Sequence, residues 1–213
     1  ATILYTSGTA GMGKGVILTH WCMSSRVDGA FEYFNHVGHP LNEEDRVLSF
    51  LPLSHIFDRC CSQWAAIWLG ASIAYADSPA TLANDLPRYN PTWFSCVPRL
   101  YEKIYMQFQQ QLAESSLKKK LFDWALAVGE KALACRIDDH GRIDMRPEFD
   151  VRSKLPFGLR LQYSIADKLF AKVRAIFGNR FRFSFSASAG ISPDLLRFFY
   201  IMGLPVLEGY GLT

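Results

Sequence analysis

The sequence predicts an α/β fold, a mostly parallel sheet with helices on both faces. Three observations carry this. Short apolar runs recur along the chain, each the length of a strand and several bounded by Pro or Gly. Between them lie longer stretches whose apolar residues return every three or four positions, the period of a half-buried helix. Runs such as Val47–Leu51 are apolar at every position but Ser49, the near-continuous pattern of a strand buried on both sides. Strands alternating with helices in this way build a parallel sheet covered on both faces.

The elements follow in order. Thr2-Ile3-Leu4-Tyr5 is a short apolar strand that runs into a Gly-rich loop, and Val16-Ile17-Leu18 is strand-like again. Thr19 caps a helix to about Val37, with Met23, Val27, Ala30, Phe31 and Phe34 on one face. Val47–Leu51 is a buried strand ending at Pro52. A helix from about Ile56 to Leu69, a strand Ala71–Ala76 and a helix Ala80–Arg88 come next. After strand Trp93–Cys96, Pro98 takes the first position of a helix reaching about Glu114, and a further helix covers Leu117 to Cys135. Arg136 to Phe157 is polar and interrupted by Gly141, Pro147 and Pro156, so it reads as a long surface connection. A helix from about Arg160 to Phe177 is expected to bury Leu169, Phe170, Val173 and Ile176, with Gly178 as its stop. Strand Phe181–Ser186, helix Pro193–Met202 and strand Pro205–Glu208 complete the pattern.

Composition narrows the function. With 213 residues, 49% hydrophobic and 14% aromatic, the chain can bury a good core. A net charge of +3 is too small to argue for nucleic acid. The five cysteines, at 22, 60, 61, 96 and 135, contain no C-x-x-C pair, so neither a disulfide framework nor a zinc site follows and a reducing, cytoplasmic setting is expected. Cys60-Cys61 is read as packing. The longest uncharged stretch, Cys60 to Ala76, contains Ser62, Gln63, Gly70 and Ser72, and divides into helix and strand rather than a membrane span. Lys118-Lys119-Lys120, with Arg152, Lys154, Arg160, Lys168 and Lys172, form a basic surface. A solvated helix face explains such runs, with peripheral contact on an anionic membrane surface as the alternative.

The loop Thr6-Ser7-Gly8-Thr9-Ala10-Gly11-Met12-Gly13-Lys14-Gly15 carries the chemistry. Glycines let backbone N–H groups converge into an anion nest, hydroxyls add donors, and Lys14 adds a compact positive charge. Phosphate is the expected ligand. Gly8 to Lys14 fits G-x-x-x-x-G-K, the start of the nucleotide-hydrolase P-loop, yet Gly15 stands where that motif needs Ser or Thr. Val16-Ile17-Leu18 is also strand-like where that motif needs a helix, so the hydrolase reading fails twice.

Residues Tyr5 to Val16 instead resemble the phosphate loop of the acyl-adenylate-forming enzymes, Y-T-S-G-T-T-G-x-P-K-G-V, departing at Ala10 and Gly13. Leu51-Pro52-Leu53-Ser54-His55-Ile56-Phe57-Asp58-Arg59, then Val97-Pro98-Arg99-Leu100-Tyr101-Glu102-Lys103-Ile104, then Glu208-Gly209-Tyr210-Gly211-Leu212-Thr213 narrow the resemblance to long-chain fatty acyl-CoA synthetases. The motifs stand in the family's order from end to end, so the chain resembles an internal part of the large N-terminal domain, with a lobe before Ala1 and a mobile C-terminal domain after Thr213.

What the resemblance implies is ATP-dependent activation of a long-chain fatty acid through an acyl-adenylate, with transfer to coenzyme A. Thr6, Ser7, Gly8, Thr9, Gly11 and Lys14 would hold the β- and γ-phosphates of ATP. Ser184 to Pro193, close to the family's S-G-G-A-P-L-S, would be the adenine-contacting turn, with Ser188, Ala189 and Gly190 against the base; an ordinary βα turn is the plain alternative. Glu208, Gly209, Tyr210, Gly211 and Thr213 would complete the nucleotide site, Tyr210 stacking on adenine and Thr213 donating to the α-phosphate. His55 would border the acyl pocket and position the carboxylate, although a lone histidine is more often structural. Phe57, Trp64, Trp68 and Phe94 could line an acyl channel or simply be core. The family's Mg2+-binding glutamate would follow Thr213, so the chain by itself is expected to be inactive. The rivals are an adenylating enzyme with another carboxylate or a carrier-protein acceptor, and a degenerate nucleotide-binding module, which Ala10, Gly13, Ser188 and Gly190 would favour.

Overall fold

A computed structural model describes residues 2–6, 13–78, 80–144 and 146–211. Strands β1 (Thr2–Thr6) and β2 (Lys14–Leu18) form an antiparallel hairpin whose register places Thr6 opposite Lys14. Lys14 thus begins a strand. The first helix, α1 (His20–His36), starts only after Thr19, whose hydroxyl accepts the Cys22 N–H at 3.1 Å.

The main sheet holds β3 (Arg46–Ser49), β4 (Ser72–Tyr75), β5 (Trp93–Cys96), β6 (Phe183–Ser186) and β7 (Val206–Glu208). Its order is β4-β3-β5-β6-β7 and every pairing is parallel. Successive residues of a strand face opposite sides. Val47, Trp93, Phe183 and Leu207 therefore enter one apolar cluster, while Leu48, Phe94, Cys96 and Val206 enter another. On the first side lie α1, α2 (Ile56–Asp58) and α3 (Ala65–Leu69). The second side is covered by α4 (Leu82–Tyr89), α5 (Pro98–Ala113), α6 (Ser116–Ala134), α8 (Phe157–Arg174) and α9 (Pro193–Ile201). The strands are shorter than the apolar runs that announce them. Phe50, for example, stays buried beyond the last paired residue of β3.

Three expectations are corrected. The stretch Ile56–Leu69 is not one α-helix, because Arg59–Trp64 is π-helical, the Ala65 N–H reaching back five residues to Cys60 O. The connection after Cys135 contains a one-turn helix, α7 (Val151–Lys154), and an isolated bridge between Ile137 and Ile143. Val151 and Leu155 from this segment pack with Ala132 in a small third cluster, so it is more than a surface loop. The long helix α8 begins at Phe157 and gives way at Ala175–Phe177 to a 3-10 turn. That tighter turn swings Ile176 outward, leaving it 47% exposed where burial was expected, while Ala166, Phe170 and Val173 form the buried stripe. Ser192 occupies the cap position of α9, but its side chain makes no cap hydrogen bond.

Candidate functional site

Strands β5, β6 and β7 end side by side. Cys96 is in register with Ser186, and Ser186 with Glu208. Ligands of open parallel sheets bind beyond such carboxyl ends. Here the Gly209 N–H donates to Ser186 O at 2.9 Å, extending the ladder by one bond and aligning the two motifs. The Ile191 N–H donates to Glu208 Oε1 at 3.3 Å, a second tie between the same segments. Glu208 is thereby engaged in holding the turn. A Cβ at Gly209 would overlap the Phe185 ring, so any larger residue there would have to displace that ring. Ser188 adopts φ 76°, a left-handed backbone costly for a residue with a Cβ. The family pattern has glycine at this position, and the serine keeps the backbone path at the cost of strain.

These segments meet the start of α2 around a cavity of about 80 Å³. Its walls include His55, Phe57, Phe185, Ser188, Gly209, Tyr210 and Gly211. His55 Nδ1 accepts the Phe57 N–H at 3.1 Å and caps α2. A neutral imidazole accepting at Nδ1 carries its proton on Nε2, so the ring offers the cavity region an N–H donor. Tyr210 is 84% exposed at the cavity's lip, leaving its ring faces open.

Beneath lies a buried polar network. Asp58, fully buried, accepts Ser49 Oγ at 2.5 Å and Ser62 Oγ at 2.6 Å, and Ser62 lies 3.2 Å from Ser95 Oγ. Ser49 ends β3 and Ser95 lies in β5, the pair between which the strand order turns back. The network pins the His55 segment over that point. Burial pushes the Asp58 carboxyl above its usual range, against the lowering effect of its two hydroxyl partners.

Not every expected residue converges here. Thr6 and Lys14 face each other as the last pair of the hairpin before its connecting loop, with Thr6 Oγ1 3.5 Å from Lys14 O, and neither is a wall of the cavity. Ala189 and Gly190 are exposed and also lie outside its walls. Glu208 lines a separate polar cleft of about 730 Å³ with Tyr200 and Arg146. Ser7, Gly8, Thr9, Gly11 and Thr213 lie outside the described residues. Of the channel aromatics, Phe94 belongs to the opposite face of the sheet and Trp68 is 52% exposed, so neither lines this cavity. The walls also contain Arg26, Cys60 and Cys61, which the sequence did not single out as site residues. Arg26 falls outside every motif, and only the packing of α1 brings it to the site. Among the described residues no group of three His, Cys, Asp or Glu side chains is placed to hold a metal ion, and no helix is long and apolar enough to cross a membrane.

The whole chain, residues 1–213, matches the family model described as AMP-binding enzyme, and the chain belongs to that family. Over 218 residues it is 33% identical to "Long-chain-fatty-acid--CoA ligase ACSBG2" of Mus musculus, covering 100% of this chain and 30% of that protein. Long chain acyl-CoA synthetase 3 of Arabidopsis thaliana is 33% identical over 216 residues, with 100% and 29% covered. The chain spans about three tenths of the length of these curated relatives. Among solved structures, the adenylation domain of a carboxylate reductase from Mycobacterium chelonae shares the fold, with a TM-score of 0.64 and 21% identity over 99% of this chain and 26% of that one. The A-PCP didomain of a carboxylic acid reductase from Segniliparus rugosus, in complex with AMP, gives 0.61 and 20% over 99% and 23%.

Proposed function

We propose that a full-length protein carrying this chain activates long-chain fatty acids with ATP and passes the acyl group to coenzyme A. The carboxylate attacks the α-phosphate, pyrophosphate leaves, and the CoA thiol displaces AMP from the acyl-adenylate. The observation that carries the reading is the meeting of three separate motifs, at His55, Ser188 and Gly209–Gly211, around one cavity at the carboxyl ends of β6 and β7. The kinship with proteins named long-chain-fatty-acid–CoA ligases supports the choice of acyl substrate.

Each residue has a role in this scheme. Tyr210 stacks on adenine, and the turn at Ser188, Ala189 and Gly190 borders the base. Lys14 and Thr6 close the loop that receives the β- and γ-phosphates, where donors and a cation stabilise the charge that develops as pyrophosphate leaves. Thr213 donates to the α-phosphate. His55 Nε2–H donates to the carboxylate or to the adenylate carbonyl. The acceptor is coenzyme A, with a carrier protein as the alternative.

ATP–pyrophosphate exchange by the full-length protein across a panel of carboxylic acids tests the scheme. Exchange dependent on long-chain acids is expected, and exchange with short or aromatic acids alone would replace the substrate assignment. Absence of exchange with every acid would favour a non-catalytic nucleotide-binding module.

A further inference from the structure

The cavity of His55 and Tyr210 carries a positive charge that its walls do not neutralise. Arg26 projects from α1 to the rim, where its Nη2 would lie 3.8 Å from a Cβ at Gly211. Its charge also reaches the thiols of Cys60 and Cys61 in the cavity wall. None of the wall residues is Asp or Glu. Within α1 the positions one turn away are Cys22, Met23, Gly29 and Ala30, so the helix offers Arg26 no carboxylate. Among the described residues Arg26 takes part in no ion pair, unlike Arg152, Arg174 and Arg182, which are each bound to an aspartate.

The remaining wall groups leave a gap in the chemistry. His55 supplies one neutral N–H, and Lys14 belongs to the hairpin rather than to these walls. Yet adenylation must seat a carboxylate against an α-phosphate, and both are anions. A cleft lined by one sign of charge concentrates the opposite sign. A guanidinium presents a planar fork that matches two oxygens of a carboxylate or phosphate.

We propose that Arg26 is the oxyanion-binding residue of this cavity, its guanidinium taking two oxygens of the acyl carboxylate or of the nucleotide α-phosphate. The assignment rests on the adenylating reading above and adds the group that holds its negative charge.

The test measures equilibrium binding of AMP and of palmitate, separately, to the full-length protein and to Arg26→Gln and Arg26→Lys. Thermal unfolding of each variant is followed in parallel, and if Arg26→Gln fails to fold the Lys variant carries the comparison. Loss of one charge-assisted pair should weaken binding about ten- to a hundredfold in Arg26→Gln. Arg26→Lys should recover part of that, since it keeps the charge and loses the fork. Weakened AMP binding with palmitate unchanged assigns the α-phosphate, the reverse assigns the carboxylate, and loss of both assigns the two in turn. Folded variants that bind both ligands as wild type does overturn the assignment while leaving the adenylating reading intact. A wild-type protein that binds neither ligand overturns both.

Discussion

Tyr210 is the residue whose environment speaks most directly to chemistry. It stands between Gly209 and Gly211, its ring is open to solvent, and it borders the cavity. Base–aromatic stacking in single-strand nucleic-acid complexes is worth about 1–3 kcal/mol, which sets the scale for adenine here. Tyr210→Ala in the full-length enzyme should therefore raise the apparent ATP constant roughly five- to a hundredfold, and Tyr210→Phe should stay near wild type. If Phe is as damaging as Ala in steady-state assays, the hydroxyl is the working group. Asp58 makes a prediction of another kind. Burial raises its carboxyl above the ordinary 3.8, so the folded chain holds that proton more tightly than the unfolded chain does. Its stabilising contribution is complete below 3.8 and is lost as pH rises through the higher native value. Asp58→Asn, uncharged at every pH, should gain on wild type across that rise in urea-midpoint measurements. A gap between the two proteins that does not change with pH would rule this out.

At the scale of elements, α8 separates two apolar stripes with opposite fates. Ala166, Phe170 and Val173 are buried against the second core cluster, the Phe170 ring meeting Phe122 at 6.1 Å between centroids. Phe157, Leu161 and Ile165, spaced four apart on another face, are exposed. Phe170→Ala should cost about 3–5 kcal/mol by the usual range for a buried phenylalanine, whereas Leu161→Ser should shift stability by less than about 0.5 kcal/mol. Chemical denaturation of both variants checks the contrast, and comparable losses would show that the exposed stripe is covered in the full-length protein. Helical periodicity alone leaves the choice between two such stripes open. The basic residues nearby are also partly accounted for within the chain, Arg152 and Arg174 both binding Asp167 at 2.8 Å and Lys119 binding Asp123 at 2.9 Å.

For the molecule as a whole, one ion pair ties distant segments at the amino ends of the strands. Asp45, just before β3, is almost fully buried and receives Arg182, just before β6, at 3.0 Å, together with the Asn42 N–H at 2.9 Å. Strand β5 lies between the two. Removing one partner of a buried pair strands the other charge. Asp45→Ala should cost about 3 kcal/mol, the low end of that range because the Arg182 side chain keeps 29% of its surface in water. The loss should appear as one earlier cooperative transition by both circular dichroism and tryptophan fluorescence, since Trp93 and Phe94 face the two clusters from the same strand. Two separate transitions would show that the clusters unfold independently.

Much of this architecture was legible in the chain because it depends on neighbours in sequence. Thr19 as a cap, Pro98 at a first turn, the apolar runs at Val47 and Trp93, and a strand rather than a helix after Lys14 all follow from local backbone and side-chain preferences. The motifs at His55 and Gly209–Gly211 were legible through their resemblance to the acyl-adenylate-forming enzymes, and the turn at Ser188 also through its run of small residues between a strand and a helix. Other features depended on partners far along the chain. The strand order, the π-helical turn at Arg59–Trp64, the Ser49–Asp58–Ser62–Ser95 network and the exposure of Ile176 belong here. So does Arg26 in the cavity wall. Local preference sets which segments are helix or strand, but which face is buried and which charge meets which cavity depends on surfaces that come together only when the sheet assembles.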